Sequence, residues 1–118
     1  MLTRILLYTH IPDRLAEFYA RHFGYTVLRS ETDRLIELAP PGPGAAILLH
    51  PASARQKPGQ SLVKLVFEVR DVAAFCAEAR KNGLDFGPIH QSDGYTFANA
   101  RDPAKNPIQV SSRAFAGA

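Results

Sequence analysis

The feature that most limits what this chain can fold into is a repeated order of predicted elements. Each half of its 118 residues contains a strand, a helix and then three further strands. The two copies share little residue identity, yet Arg4–Leu7 in the first half corresponds to Lys64–Phe67 in the second. Glycines that end helices, Gly24 and Gly83, occupy similar places in both copies. A chain of this length forms a single domain, so the pattern predicts a duplicated α+β unit.

Periodicity and turn residues predict the limits of each element. Apolar, β-rich residues 3–9 predict a buried strand, and Pro12 with Asp13 suits the start of a helix that ends at Gly24. In the second half, a helix is predicted between the N-cap Asp71 and Gly83. The other predicted strands are Tyr25–Arg29, Leu35–Ala39, Ala45–His50, Leu62–Val69, Phe86–His90, Tyr95–Arg101 and Ile108–Ser112.

Residues 51–61 contain little that could be buried and are predicted to link the two halves. We therefore expect one domain over residues 1–118, with a first module at 1–53, a linker at 54–60 and a second module at 61–118. A ferredoxin-like domain is the main alternative, but it has only two strands between its helices. Three strand-like runs between Gly24 and Asp71 argue against it.

Composition and charge exclude several classes of protein. The hydrophobic fraction of 46% and the charged fraction of 21% are ordinary for a globular domain. The net charge of +3 comes from cations scattered among acidic residues, whereas a nucleic-acid protein usually has a basic stripe. No apolar stretch is long enough for a membrane span, and the amino terminus lacks the layout of a signal peptide. One cysteine fits a reducing compartment, so we expect a cytoplasmic protein with no nucleic-acid or membrane partner.

Three stretches of the chain form an ordered set of motifs. They are Ala16–Tyr19 leading to Phe23–Tyr25, Val66–Val69 leading to Asp71–Val72, and Asn99–Pro103. In order and spacing this set resembles the signatures of the vicinal oxygen chelate superfamily, which contains glyoxalases, bleomycin-resistance proteins and extradiol dioxygenases. The resemblance covers nearly the whole chain and implies two βαβββ modules, a curled mixed sheet around a cleft, and a homodimer. The chain departs from the family at Ala104–Lys105, where the usual glycine turn is altered.

The resemblance also implies four metal ligands, on the first, fourth, fifth and eighth strands. The matching positions hold Arg4, Leu48 or Leu49, Lys64 and Gln109. Two cations repel a divalent ion, and none of these side chains is a strong ligand, so we expect no metal and no cofactor. A displaced site built from Tyr8, His50 and Glu68 is the alternative, although it offers few ligands. We assign no ligand role to His10, His22 or His90, and interpret Cys76 as a small buried hydrophobic residue.

Strand alternation separates apolar side chains that suit packing under a helix from sets with polar members, which we expect to line the cavity. There Arg4 and Lys64 would attract a carboxylate, phosphate or enolate, unless either cation simply pairs with Glu68. Solvated strand edges are the plain alternative for each polar side chain taken singly. The candidate ligand-binding residues are Arg4, Tyr8, His50, Lys64, Glu68, Phe97, Asn99, Arg101 and Gln109.

Three functions follow from these residues. The first is a binding protein that holds a small, anionic organic molecule without turning it over. The second is a metal-dependent lyase, isomerase or dioxygenase of the same superfamily. The third is a metal-free enzyme in which Lys64 is the base and Arg4 stabilises an oxyanion, with Glu68 as a further catalytic candidate. The sequence leaves open whether the protein is an enzyme.

Overall fold

The structure, a computed structural model, describes residues 1–117. The chain divides into two compact units, Met1–Pro58 and a second that begins at Gly59. The first unit contains β1 (Arg4–Thr9), α1 (Pro12–Phe23), β2 (Thr26–Leu28), β3 (Ile36–Ala39) and β4 (Ala46–Pro51). The second contains β5 (Leu65–Glu68), α2 (Val72–Lys81), β6 (His90–Gln91), β7 (Thr96–Arg101) and β8 (Pro107–Ser111), followed by a 3-10 turn at Arg113–Phe115.

Each unit has its own four-stranded mixed sheet with the same topology. The strand order is β1-β4-β3-β2 in the first unit and β5-β8-β7-β6 in the second. In both, the first strand pairs in parallel with the last, and the other pairs are antiparallel. The predicted α+β class with two βαβββ modules is therefore confirmed.

One face of each sheet packs against the helix of its own unit. In the first unit, the apolar stripe of α1 buries Leu15 and Tyr19 completely against β2, β3 and β4, where Leu38 and Leu49 are also fully buried. In the second unit, α2 packs against β7 and buries Val72 and Ala79, while Ala98, Ile108 and Val110 fill the sheet side. The opposite face of each sheet is left free of any helix of its own unit.

Both helices begin where the sequence predicted, and α1 ends at the predicted glycine. Pro12 occupies the first turn of α1, and Gly24 ends that helix in the left-handed conformation with φ 72°. The carboxylate of Asp71 caps α2 by accepting a hydrogen bond of 3.0 Å from the backbone N–H of Ala74. No helix within residues 1–117 is long and apolar enough to cross a membrane.

Two predicted strands differ from the structure by more than two residues at one end. The strand predicted at Phe86–His90 is wrong except at His90, since β6 is His90–Gln91: Pro88 has no N–H to donate, and Gly87 makes one isolated backbone bond, of 2.8 Å, to Asn99. The strand predicted at Leu62–Val69 begins only at Leu65. Its neighbour β8 begins at Pro107, which likewise lacks an N–H, so the ladder starts at the pair of Leu65 and Ile108.

The turn between β7 and β8 is organised by the buried carboxylate of Asp102. Its Oδ1 accepts 2.9 Å hydrogen bonds from the backbone N–H groups of Ala104 and Asn106, and its Oδ2 accepts one of 2.9 Å from the Asn106 side chain. Lys105 sits in this turn with φ 67°, and no other non-glycine residue within 1–117 has a positive φ. The backbone of Lys105 thus adopts a left-handed conformation that favours glycine.

Lys105→Gly is expected to raise the free energy of unfolding by up to about 1 kcal/mol, because relief of left-handed strain outweighs the entropy that glycine adds to the unfolded chain. The hydrogen bond from Arg101 to Lys105 uses the Lys105 backbone oxygen and survives the change. Urea unfolding measures the effect. Lys57→Gly is the matched control in an exposed loop without positive φ, and it should lower stability slightly. Equal losses in both variants would contradict the prediction.

Candidate functional site

Both sheets have a face that carries no helix of the same unit, here called the open face. The open face of each unit bears the side chains that alternate along the strands with those packed against the helix. The open face of the second unit carries more polar side chains than that of the first. The first open face includes Arg4, Leu6, Tyr8, Leu28, Glu37, Leu48 and His50. The second includes Lys64, Val66, Glu68, His90, Phe97, Asn99, Arg101, Gln109 and Ser111.

Arg4 is joined to a carboxylate on its own open face. Its Nε lies 3.6 Å from Oε1 of Glu37 in β3, although β4 runs between the two strands. The β4 residue opposite Arg4 is the small Ala46, which leaves room for the side chain to cross. Sequence reasoning missed Glu37, whose position between the apolar Ile36 and Leu38 was the available signal. Since both side chains are partly exposed, the pair adds little stability, but it compensates the charge of Arg4.

Tyr8 and His50 form a second contact on the first open face. They are directly opposite each other in the parallel pair of β1 and β4, and their ring centroids are 5.4 Å apart in an edge-to-face arrangement. The His50 ring is also held by its own strand, because Nδ1 lies 2.8 Å from the backbone oxygen of Pro51. The structure thus places in contact two of the three residues that the sequence analysis grouped as a displaced site, Tyr8 and His50.

Three predicted site residues of the second unit meet in one hydrogen-bonded group, here called the donor cluster: Lys64, Asn99 and Gln109. Lys64 Nζ and Gln109 Nε2 each donate to Asn99 Oδ1 at 3.0 Å. Asn99 and Gln109 are paired across β7 and β8, whereas Lys64 reaches them from the residue just before β5. An ammonium can only donate, so Asn99 must turn its oxygen inward and keep its N–H2 group free to donate elsewhere.

The remaining predicted residues lie on the second open face outside the donor cluster. Arg101 Nη1 donates to the backbone oxygen of Lys105 at 2.7 Å, which ties it to the turn. Glu68 is exposed, and within residues 1–117 its carboxylate has no hydrogen bond or ion pair. The Phe97 ring lies between those of His90 and Tyr95, with centroids 5.1 and 6.2 Å away.

Tyr95 lies beside this face, and polar contacts shift the pKa of its phenol. Hydrogen bonds with Ser92 and with Arg113 lower the pKa of its phenol, because they stabilise the phenolate. Arg113 Nη1 lies 3.1 Å from the Tyr95 hydroxyl, and its guanidinium also lies over the ring, 5.4 Å from the centroid. The arrangement anchors the hairpin of β6 and β7 to the 3-10 turn.

The divalent metal that the resemblance implies does not fit the residues at the positions matched to its ligands. Arg4, Leu48 and Lys64 supply two cations and one alkyl group, and Gln109 supplies only a neutral amide. Divalent ions in proteins are held by carboxylate, imidazole or thiolate groups, which these positions lack. Within residues 1–117 no three His, Cys, Asp or Glu side chains are grouped so that they could hold an ion. We therefore derive no chemistry through a metal.

Comparison with known families agrees with the arrangement of elements. The family model described as the glyoxalase/bleomycin resistance protein/dioxygenase superfamily matches residues 2–110, which is most of the chain. No curated protein sequence matches the chain significantly.

Solved structures with the same fold come from several bacteria. TnmS3, an antibiotic binding protein from a Streptomyces species, has a TM-score of 0.77 at 20% identity, with 93% of each chain covered. UcmS2 has a TM-score of 0.79 at 18% identity, covering 95% of this chain and 97% of that one. Lactoylglutathione lyase from Agrobacterium tumefaciens has a TM-score of 0.70 at 19% identity, covering 94% and 92%. At these identities the likeness shows the fold alone.

Proposed function

The chain belongs to the glyoxalase/bleomycin resistance protein/dioxygenase superfamily, and we propose that it binds a small organic molecule with a negative charge, without turning it over. The observation that carries this proposal is the donor cluster on the second open face. Lys64, Asn99 and Gln109 are fixed to one another by two 3.0 Å hydrogen bonds.

The donor cluster presents hydrogen-bond donors that an anion can use. Lys64 spends one of its three N–H groups on Asn99 Oδ1, and Gln109 Nε2 spends one of its two. Two ammonium donors, the Asn99 N–H2 group and the second Gln109 N–H are left, together with the Gln109 Oε1 acceptor. Because the three side chains hold each other in place, less side-chain entropy is lost when a ligand binds.

The charge of Lys64 is uncompensated inside the second unit as far as residue 117, because its only polar contact there is with a neutral amide. Arg4, the other cation predicted to face the ligand, is compensated by Glu37 at 3.6 Å. A bound carboxylate or phosphate would therefore gain most from Lys64. We accordingly place the anionic group of the ligand at the donor cluster rather than at Arg4.

Binding without turnover is the form of the function that these residues support best. TnmS3, which shares the fold, is described as an antibiotic binding protein, so the fold is compatible with such a role. A metal-dependent lyase, isomerase or dioxygenase would need ligands that the usual positions do not supply. A metal-free enzyme with Lys64 as the base was predicted to use Arg4 to stabilise an oxyanion, whereas Arg4 is compensated by Glu37 at 3.6 Å. We also propose a homodimer, as the family resemblance implies, and a cytoplasmic location, which the single cysteine fits.

A pair of matched small molecules tests the proposal by isothermal titration. We expect p-nitrobenzoate to bind at least about ten-fold tighter than p-nitrobenzamide, which has a similar shape but no charge, because charge-assisted hydrogen bonds are the stronger. The affinity for p-nitrobenzoate should fall as salt is added, since the site is partly exposed. Equal affinities, no binding of the carboxylate at millimolar concentration, or chemical conversion of the bound compound would overturn the proposal.

A further inference from the structure

We propose that Tyr8 and His50 form a separate site on the first open face, where His50 accepts a proton from a weakly acidic O–H group of a bound phenol or enol. The inference stands on residues of the first unit and uses none of the donor cluster. The juxtaposition that carries it is an imidazole whose one nitrogen is committed to Pro51, beside the ring of Tyr8.

The contact with Pro51 determines which nitrogen of His50 carries the proton. A backbone carbonyl oxygen has lone pairs and no hydrogen, so Nδ1, at 2.8 Å from it, must be the donor. A neutral imidazole carries one N–H, and Nε2 therefore keeps its lone pair. Among residues 1–117 the His50 ring has no other hydrogen-bond partner, so this lone pair is available to a ligand. A base held in one tautomer by a backbone acceptor is a common arrangement at sites of proton transfer.

The surroundings of His50 suit a flat neutral molecule. Tyr8 stands opposite His50 with its ring plane at 63° to the imidazole, and Leu6 and Leu48 are apolar residues of the same face. Tyr8 is 54% exposed, so a ligand has access to this pair. The charged groups on the face are Arg4 of β1 and Glu37 of β3, which are paired with each other. The helix α1 packs on the opposite face and contributes no charged group here.

The proposed step moves one proton and needs no further reactant. The O–H bond of the ligand breaks, its electron pair stays on oxygen, and the proton forms a bond to His50 Nε2. The products are an imidazolium and a phenolate or enolate in contact, with no change in total charge. The carbonyl of Pro51 continues to accept from Nδ1 and stabilises the positive charge on the ring.

The absorbance of p-nitrophenol reports this step directly, because its phenolate is coloured and the neutral phenol is not. In a buffer more acidic than the ionisation of free p-nitrophenol, wild-type protein should produce a saturable rise in phenolate absorbance. His50→Phe keeps an aromatic ring without the nitrogens and should abolish the rise. The matched control is His90→Phe, which replaces an exposed histidine of the second unit and should keep the rise in absorbance. No saturable rise with wild type, or a rise that persists in His50→Phe, would overturn the inference.

A measurement on the unliganded wild-type protein provides a second test that no folding defect can obscure. Two-dimensional ¹⁵N–¹H spectra of the imidazoles, recorded in mildly alkaline buffer, distinguish the two neutral tautomers. We expect His50 to show the Nδ1–H form, and an Nε2–H form would overturn the inference. A rise that is lost in Lys64→Met and persists in His50→Phe would come from p-nitrophenolate bound at the donor cluster and would overturn the inference, while binding of p-nitrobenzoate tests the donor cluster alone. Failure of either proposal can therefore be told from failure of the other.

Discussion

Asp102→Ala is expected to lower the free energy of unfolding by about 3 kcal/mol, the largest stability change among the substitutions considered. Asp102 is only 4% exposed. It accepts three hydrogen bonds of 2.9 Å from Ala104 and Asn106. Alanine would leave these N–H groups without their charged acceptor in a place that water reaches poorly. Denaturant unfolding followed by circular dichroism measures the loss.

The controls for Asp102 separate its hydrogen bonds from a general effect of losing a carboxylate. Asp85→Ala removes an exposed aspartate whose ion pair with Arg80 spans 3.6 Å, and it should change stability by less than about 0.5 kcal/mol. Asp102→Asn keeps the size of the side chain but replaces one acceptor oxygen with a donor, and its loss should be intermediate. A change below about 1 kcal/mol for Asp102→Ala would show that the turn does not depend on this carboxylate.

Lys64→Met is expected to weaken the binding of p-nitrobenzoate about thirty-fold, which corresponds to about 2 kcal/mol. Methionine retains most of the aliphatic length of lysine but removes the charge and all three N–H donors. The remaining members of the donor cluster stay linked to each other by the 3.0 Å bond from Gln109 to Asn99. The loss should thus reflect the ammonium rather than collapse of the cluster, and isothermal titration measures it.

Lys81→Met is the matched control for Lys64→Met. Lys81 is an exposed lysine in the last turn of α2, where its Nζ lies 3.7 Å from the Glu78 carboxylate. Its removal lowers the net positive charge by the same amount but should leave the affinity within about two-fold, because the net charge acts only at long range. If both variants bind p-nitrobenzoate as tightly as wild type, the donor cluster is not the anion site.

Local patterns in the sequence predicted the order and type of every helix and strand. Helix limits were predictable because Pro12, Gly24 and Asp71 act through their own backbone or side chain within one turn. The start of β5 depends on Pro107, which belongs to its partner strand β8 and not to β5 itself. Single-strand patterns carry no information on the register between two strands.

The sequence predicted which side chains of each strand belong to the candidate site, but not which of them meet across strands. The period of two separated Tyr8, Lys64 and Asn99 from the side chains expected to pack under the helices, and none of the three is buried. The contact of Lys64 with Asn99 requires the order β5-β8-β7 as well as the register of β7 against β8. The pair of Arg4 and Glu37 depends further on the small Ala46 between them. None of these conditions is local in the sequence, which is why Glu37 was missed.

The parallel pairing of β1 with β4 has a consequence for how the chain folds during synthesis. Arg4 cannot find its partner Ala46 until β4 has left the ribosome, long after β1 has emerged. Each unit therefore closes a long loop late, and contacts between residues so distant in the sequence slow folding. Until then, the apolar residues of β1 lack their sheet partner, so a ribosome stalled before β4 would display a strand open to chaperones.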